Sequence, residues 1–142
     1  MTESISPTTA TGAVVIVDGD ILSRHAIADY LRHCGYDVVE AASTDEAVIA
    51  VKDPSFAVDI VLCDIQAVGT KSGFELSTWI RGNHSEVDVK LAGNLTGIVD
   101  TATDLCEESP HFARPYEPQA VVDYIKQLRA TRDRTARSFS RP

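Results

Sequence analysis

The chain has 142 residues, of which 44% are hydrophobic and 24% are charged, and its formal net charge is −8 at pH 7. This length suits a single domain with a buried core, and no apolar run approaches the ~20 residues that cross a bilayer. Residues 1–128 hold 20 acidic and 8 basic side chains, and such an acidic body argues against nucleic-acid binding, because phosphate contacts need a basic face.

Strand and helix patterns alternate from residue 13 onward. Residues 14–17 (Val-Val-Ile-Val) predict a buried first strand, and an apolar stripe over residues 21–34, followed by Gly35, predicts the first helix. The next predicted elements are a strand over residues 37–41, a helix capped by Ser43 or Thr44, and a strand over residues 58–63.

The second half of the chain continues the same alternation. Its predicted elements are a helix over residues 74–81, a strand over 87–92, a helix over 95–105, a strand over 111–113 and a helix that begins at Pro118. In that last helix, we expect Val121, Tyr124, Ile125 and Leu128 to be buried. Five strand–helix units predict an α/β fold, a doubly wound parallel sheet in a three-layer sandwich with the flavodoxin-like strand order 2-1-3-4-5.

The two ends of the chain differ from its body. Residues 1–12 lack the basic and apolar regions of a secretion signal, and we expect them to be disordered. Residues 130–142 are rich in Arg, Ser and Thr and predict a disordered basic tail after a domain that spans residues 13–129. Cys34, Cys63 and Cys106 lack the spacing of metal ligands and are interpreted as small core residues of a protein in the reducing cytoplasm.

Two carboxylates follow predicted strands that should be neighbours. Asp18 ends the first strand and Asp64 ends the third. Because ligands of open α/β sheets bind beyond the carboxyl ends of the strands, these two side chains predict one acidic pocket. Paired carboxylates suit a hard cation such as Mg²⁺, and a neutralised carboxylate can attack a phosphoryl group.

The chain resembles the receiver domains of response regulators, the CheY-like phosphoaccepting domains of two-component signalling. The resemblance covers about residues 13–129. It is carried by Val-Ile-Val-Asp-Gly-Asp (15–20), Gly-Tyr-Asp-Val-Val-Glu-Ala (35–41), Asp-Ile-Val-Leu-Cys-Asp-Ile (59–65), Gly-Phe-Glu-Leu (73–76) and Phe-Ala-Arg-Pro-Tyr-Glu-Pro (112–118).

The resemblance assigns a role to each residue of the pocket. Asp64 matches the phosphoacceptor. Asp18 matches an acidic metal ligand, and the backbone carbonyl of Gln66 matches a main-chain Mg²⁺ ligand. Arg114 stands at the position of the family's phosphate-binding lysine, and a cis bond before Pro115 would aim it into the pocket.

Several positions depart from the family pattern. Gly19 replaces a second acidic ligand, so we expect weak Mg²⁺ binding, with Asp20 as a further candidate ligand. Ala92, which is followed by Gly93, replaces the Ser or Thr whose hydroxyl couples phosphorylation to a surface change. His111 stands at the aromatic switch position.

Three functions are compatible with this pattern. The first is a single-domain response regulator, with no attached output domain, that is phosphorylated on Asp64 by a histidine kinase or a histidine phosphotransfer protein and is not a conventional enzyme. The second is a phosphorylation-independent pseudo-receiver that acts as an adaptor. The third is a haloacid-dehalogenase-type phosphatase, since Asp18-Gly-Asp20 fits its Asp-x-Asp signature. Against that third function, Asp100 and Asp104, which would have to supply the second acidic motif, are predicted on the polar side of a helix.

By the same resemblance, protein contacts and a possible homodimer would use the face of the fourth helix, fifth strand and fifth helix. We expect this face to include Ile98, Val99 and Ala102, or their polar neighbours, with Phe112 and Tyr124. No nucleic-acid or membrane partner is expected.

Overall fold

The computed structural model describes residues 12–108 and 117–140. Its sheet has four parallel strands: β1 (Ala13–Val17), β2 (Val38–Ala41), β3 (Val58–Asp64) and β4 (Asp88–Ala92). Their order is β2-β1-β3-β4, which confirms the predicted α/β fold and the order 2-1-3-4. The predicted fifth strand, residues 111–113, lies outside the described residues.

In the described part of the chain, five helices flank the sheet: α1 (Ile21–His33), α2 (Thr44–Lys52), α3 (Gly73–Asn83), α4 (Leu95–Glu108) and α5 (Pro118–Ser140), with a 3-10 turn at Pro54–Phe56. Their ends carry the expected signals. The Ser43 hydroxyl caps α2 by accepting from the Glu46 N–H, and Gly35 follows α1 with φ of 100°. Ser72 and Glu75 form a capping box at the start of α3.

The core lies on both faces of the sheet and gives the predicted three layers. All five residues of β1 are buried, as expected of a central parallel strand. Apolar side chains of α1, α4 and α5 pack on one face, and those of α2 and α3 pack on the other. Within the described residues, no helix has the length and apolar character needed to cross a membrane.

Helix α5 is longer than predicted. It runs from Pro118 to Ser140 and so passes the predicted domain boundary at residue 129. Arg129 and Arg132 form ion pairs with Asp20. The sequence had suggested that the arginines at this end of the chain were only solvated.

The expected contact face also needs correction. Ile98, Val99 and Ala102 are 4%, 0% and 0% exposed, because the apolar side of α4 faces the sheet, so only their polar neighbours are available to a partner. Tyr124, expected in the core, is 56% exposed and lines a groove between α1 and α5. Phe112 lies outside the described residues.

The cysteines are not all free thiols. Cys34, at the C-terminal end of α1, and Cys106 in α4 form a disulfide with a Cα–Cα distance of 5.3 Å. Both are fully buried, and Cys63 remains a buried free thiol. The Tyr36 hydroxyl donates to the Leu105 carbonyl at 2.7 Å, so a hydrogen bond ties the same two regions.

Candidate functional site

The two predicted carboxylates lie side by side at the carboxyl edge of the sheet. Val17 of β1 pairs with Cys63 of β3, so the next residue on each strand, Asp18 and Asp64, occupies the matching position. Neighbouring strands are about 4.8 Å apart, which brings both carboxylates to one pocket. The Asp18 N–H donates to the Ala41 carbonyl at 3.1 Å and fixes the strand end.

Asp18 places a carboxyl group in a buried position. It is 4% exposed, and its Oδ1 accepts the Asp20 N–H at 2.9 Å. Burial raises the pKa of Asp18, and the negative charges of Asp64 and Asp20 raise it further. The hydrogen bond from the Asp20 N–H and the charge of Arg129 act in the opposite direction but are outweighed. A cation in this pocket would relieve both the burial and the repulsion.

Asp64 is more accessible and lies at the start of a tight turn. Its carboxylate accepts the Gln66 N–H at 3.0 Å, and its carbonyl accepts the Ala67 N–H at 2.9 Å. The turn therefore places the Gln66 backbone beside the Asp64 carboxylate. Asp64 presents the oxygen nucleophile that phosphoryl transfer requires.

The thiol of Cys63 shows how negative this edge is. Burial raises the pKa of Cys63 to about 12, with further contributions from the charges of Asp64 and Asp18. The thiol therefore stays protonated and unreactive next to the pocket.

Two small residues shape the mouth of the pocket. Gly19 is exposed, and a Cβ built on it would approach only the Ala42 carbonyl, at 3.8 Å, so the structure has room for a side chain there. Ala92 pairs in register with Asp64, and its carbonyl accepts the Ile65 N–H at 3.0 Å. Gly93 follows against Ile65. Arg114 and His111 lie outside the described residues.

Asp20 is engaged by helix α5, which sequence reasoning missed. Arg129 Nε donates to Asp20 Oδ2 at 2.8 Å, and Arg132 Nη1 donates to Oδ1 at 2.6 Å. The Ser23 hydroxyl also donates to Oδ2 at 2.7 Å and accepts from Arg129 Nη2. The sequence signal was the Arg-x-x-Arg spacing in an uninterrupted helical segment after Leu128.

These donors set the charge state of Asp20. Burial alone would raise its pKa, but the hydrogen bonds from Ser23, Arg132 and Arg129 outweigh burial and hold the pKa of Asp20 well below its usual range. Asp20 is therefore a fully ionised carboxylate whose two oxygens both face arginine.

The donor set fits a hard cation, though with few protein ligands. Asp18, Asp64 and the Gln66 carbonyl would supply oxygen ligands of the kind that Mg²⁺ prefers, with water completing the shell. Within residues 12–108 and 117–140, no group of three or more His, Cys, Asp or Glu residues is placed to hold a metal ion. A cation here would rely on two carboxylates and a carbonyl, since Gly19 adds no side-chain ligand.

Fold and site together define a class of protein: a doubly wound α/β domain with two aspartates at the ends of adjacent strands. Residues 14–105 match the response regulator receiver domain family, and the chain belongs to it. It is therefore a receiver domain of two-component signalling rather than a conventional enzyme. Receiver domains typically bind Mg²⁺ and work with a histidine kinase. This membership also excludes the phosphatase interpretation, and Asp100 and Asp104 are exposed residues of α4, as predicted.

Individual proteins show the same similarity. The transcriptional regulatory protein AruR of Pseudomonas aeruginosa is 29% identical over 119 residues, which cover 81% of this chain and 48% of AruR. The chain thus spans about half the length of this relative. The fold is similar to receiver domain structures from Clostridium thermocellum (TM-score 0.54, 18% identity, 86% of this chain and 97% of that one) and Methanospirillum hungatei JF-1 (TM-score 0.54, 18% identity, 89% and 99%).

Proposed function

We propose that this chain is a response regulator whose Asp64 accepts a phosphoryl group from a histidine kinase or a histidine phosphotransfer protein in the cytoplasm. The observation that carries the proposal is the pairing of Asp18 with Asp64 at the ends of adjacent strands, with Asp18 buried. A structural role alone does not account for two neighbouring carboxylates, one of them buried, because their repulsion costs stability.

In the proposed reaction, an Asp64 oxygen attacks phosphorus and the bond from phosphorus to the donor atom breaks, so the donor leaves with its electron pair. Mg²⁺ bound by Asp18, Asp64 and the Gln66 carbonyl would neutralise the approaching charges. Arg114, at the position of the family's lysine, is the proposed phosphate contact. The phosphorylated domain would then act by protein contacts, with the polar side of α4 as part of the surface.

The alternative is a pseudo-receiver that binds its partner without phosphorylation. One observation favours it: Ala92, in register with Asp64, offers a methyl group where phosphorylation would need a hydrogen-bond donor. A modification that makes no differential contact in two states cannot shift them.

Intact-mass spectrometry after incubation with acetyl phosphate and Mg²⁺ separates the two functions. The proposal expects an added ~80 Da, the mass of one phosphoryl group replacing a hydrogen. Asp64→Asn should show none, and Asp88→Asn, which changes an exposed aspartate of β4, should behave like the parent. No adduct on the parent with acetyl phosphate or with a phosphorylated kinase would reject phosphotransfer and leave the pseudo-receiver.

A further inference from the structure

Helix α5 supplies two arginines to a carboxylate that borders the acidic pocket. Arg129 and Arg132 are one helical turn apart, and each donates to a different oxygen of Asp20. Ser23 ties the arrangement together, since it donates to Asp20 and accepts from Arg129. This contact bridges the two ends of the chain, at sequence separations of 109 and 112 residues.

Asp20 is the nearest substitute for the carboxylate that Gly19 lacks. Its backbone N–H already binds the Asp18 carboxylate, so the two residues share one loop at the pocket edge. Its side chain is nevertheless turned to α5, and it is only 21% exposed. Arg129 is also close enough to act on the charge of Asp18.

We infer that Arg129 and Arg132 are positioning residues that hold Asp20 out of the metal pocket, so that the C-terminal part of α5 sets the affinity of the receiver for divalent cations. This inference rests on the proposed function, because it requires the pocket of Asp18 and Asp64 to bind such a cation. With both arginines in place, Asp20 cannot complete the ligand set. Without them, its carboxylate, two residues from Asp18, keeps the Ser23 hydrogen bond on one oxygen and can turn the other to the ion.

The test is the affinity for Mn²⁺, a spectroscopic stand-in for Mg²⁺, measured by electron paramagnetic resonance of the free ion and by calorimetry. We expect R129Q/R132Q to bind Mn²⁺ about tenfold more tightly than the parent, the scale on which partners of metal ligands act. Damage to the fold would weaken binding instead, so a gain is not a general structural effect. R132Q alone, which leaves the Arg129–Asp20 contact in place, should shift the Mn²⁺ affinity in the same direction by a smaller factor.

Two controls separate the inference from simpler effects. R81Q/R134Q removes the same charge from exposed positions, where Arg134 bonds Thr131, and should leave the affinity unchanged. Adding D20N to R129Q/R132Q should abolish the gain. If the gain persists without the Asp20 carboxylate, or if R129Q/R132Q binds Mn²⁺ no more tightly than the parent, the inference is wrong.

The variant G19D distinguishes this failure from failure of the proposed function. It restores the family's second carboxylate at a position with room for a side chain. If G19D binds Mn²⁺ but R129Q/R132Q gains nothing, only the role of the arginines is rejected. If G19D does not bind Mn²⁺ either, the pocket is not a cation site and both proposals fail.

Discussion

Reduction of the Cys34–Cys106 disulfide should destabilise the domain substantially. The bond joins residues 72 positions apart, so it closes a long loop in the unfolded chain. The chain-entropy relation gives about 4 kcal/mol of stabilisation for a loop of this length. Both sulfur atoms are buried where α1 meets α4, so the reduced thiols remain packed and the loss acts mainly through the unfolded state.

Thermal unfolding with and without dithiothreitol measures this effect. For a domain of this size, 4 kcal/mol corresponds to a decrease in Tm of about 10–15 °C. Alkylation of the unfolded protein, followed by intact mass, should find one reactive thiol before reduction and three after it, because Cys63 alone is free.

Matched variants make the result interpretable. Replacing both Cys34 and Cys106 by Ala should remove the response to reductant, whereas Cys63→Ala should keep it. Three reactive thiols without reductant would show that the bond does not form. An unchanged Tm on complete reduction would refute the loop-entropy argument itself.

Three further predictions concern the pocket. Asp18→Asn should raise the free energy of unfolding at pH 7, since the raised pKa of Asp18 means that its ionised carboxylate costs stability. Urea titrations should show the gain shrinking as the pH falls through that pKa, and Mg²⁺ should no longer stabilise the variant. Asp20→Asn should lower that free energy by about 1 kcal/mol at neutral pH, because the half-exposed arginines are partly screened. The loss should fade as the pH falls below about 4, because Asp20 then takes up a proton in the unfolded chain while the folded parent still holds it ionised. Ala92→Ser should tighten binding of beryllofluoride, a phosphoryl analogue, about tenfold or more in calorimetry, because a hydrogen bond to a charged group contributes about 1.5–3 kcal/mol. Equal affinities would show that a hydroxyl at this position makes no hydrogen bond to the phosphoryl group.

Local signals were sufficient to predict most of the fold. These signals influence only the few residues around them, so they can be recognised directly in the sequence. Examples are the β-branched residues of β1, the glycine after α1 and the proline at the start of α5. The proximity of Asp18 and Asp64 was also predictable, because the alternation of strands and helices implies the strand order, and the strand order determines which strand ends are neighbours.

Contacts between distant segments were not predictable in the same way. Three cysteines allow three pairings, and only the packing of α1 against α4 selects Cys34 with Cys106. The basic tail suggested disorder because its charges had no visible partner in sequence, whereas the fold returns α5 to the start of α1, where Asp20 lies. Tyr124 follows the apolar stripe of α5 but lies at the groove with α1, where no third helix covers it in the described part of the chain.

The features that depart from the family act on the same two steps of a receiver. Gly19 offers no carboxylate and Asp20 is held by arginines, so under the proposed function both should weaken cation binding and the activation of Asp64. Ala92 and the disulfide should both act after phosphorylation: Ala92 offers no hydroxyl to a phosphoryl group on Asp64, and the disulfide ties α4 to α1. Because a shift between two states needs differential contacts and a mobile element, a receiver with both changes should respond weakly even when phosphorylated. The combination of Ala92→Ser with reduction of the disulfide should therefore restore more of the response than either change alone.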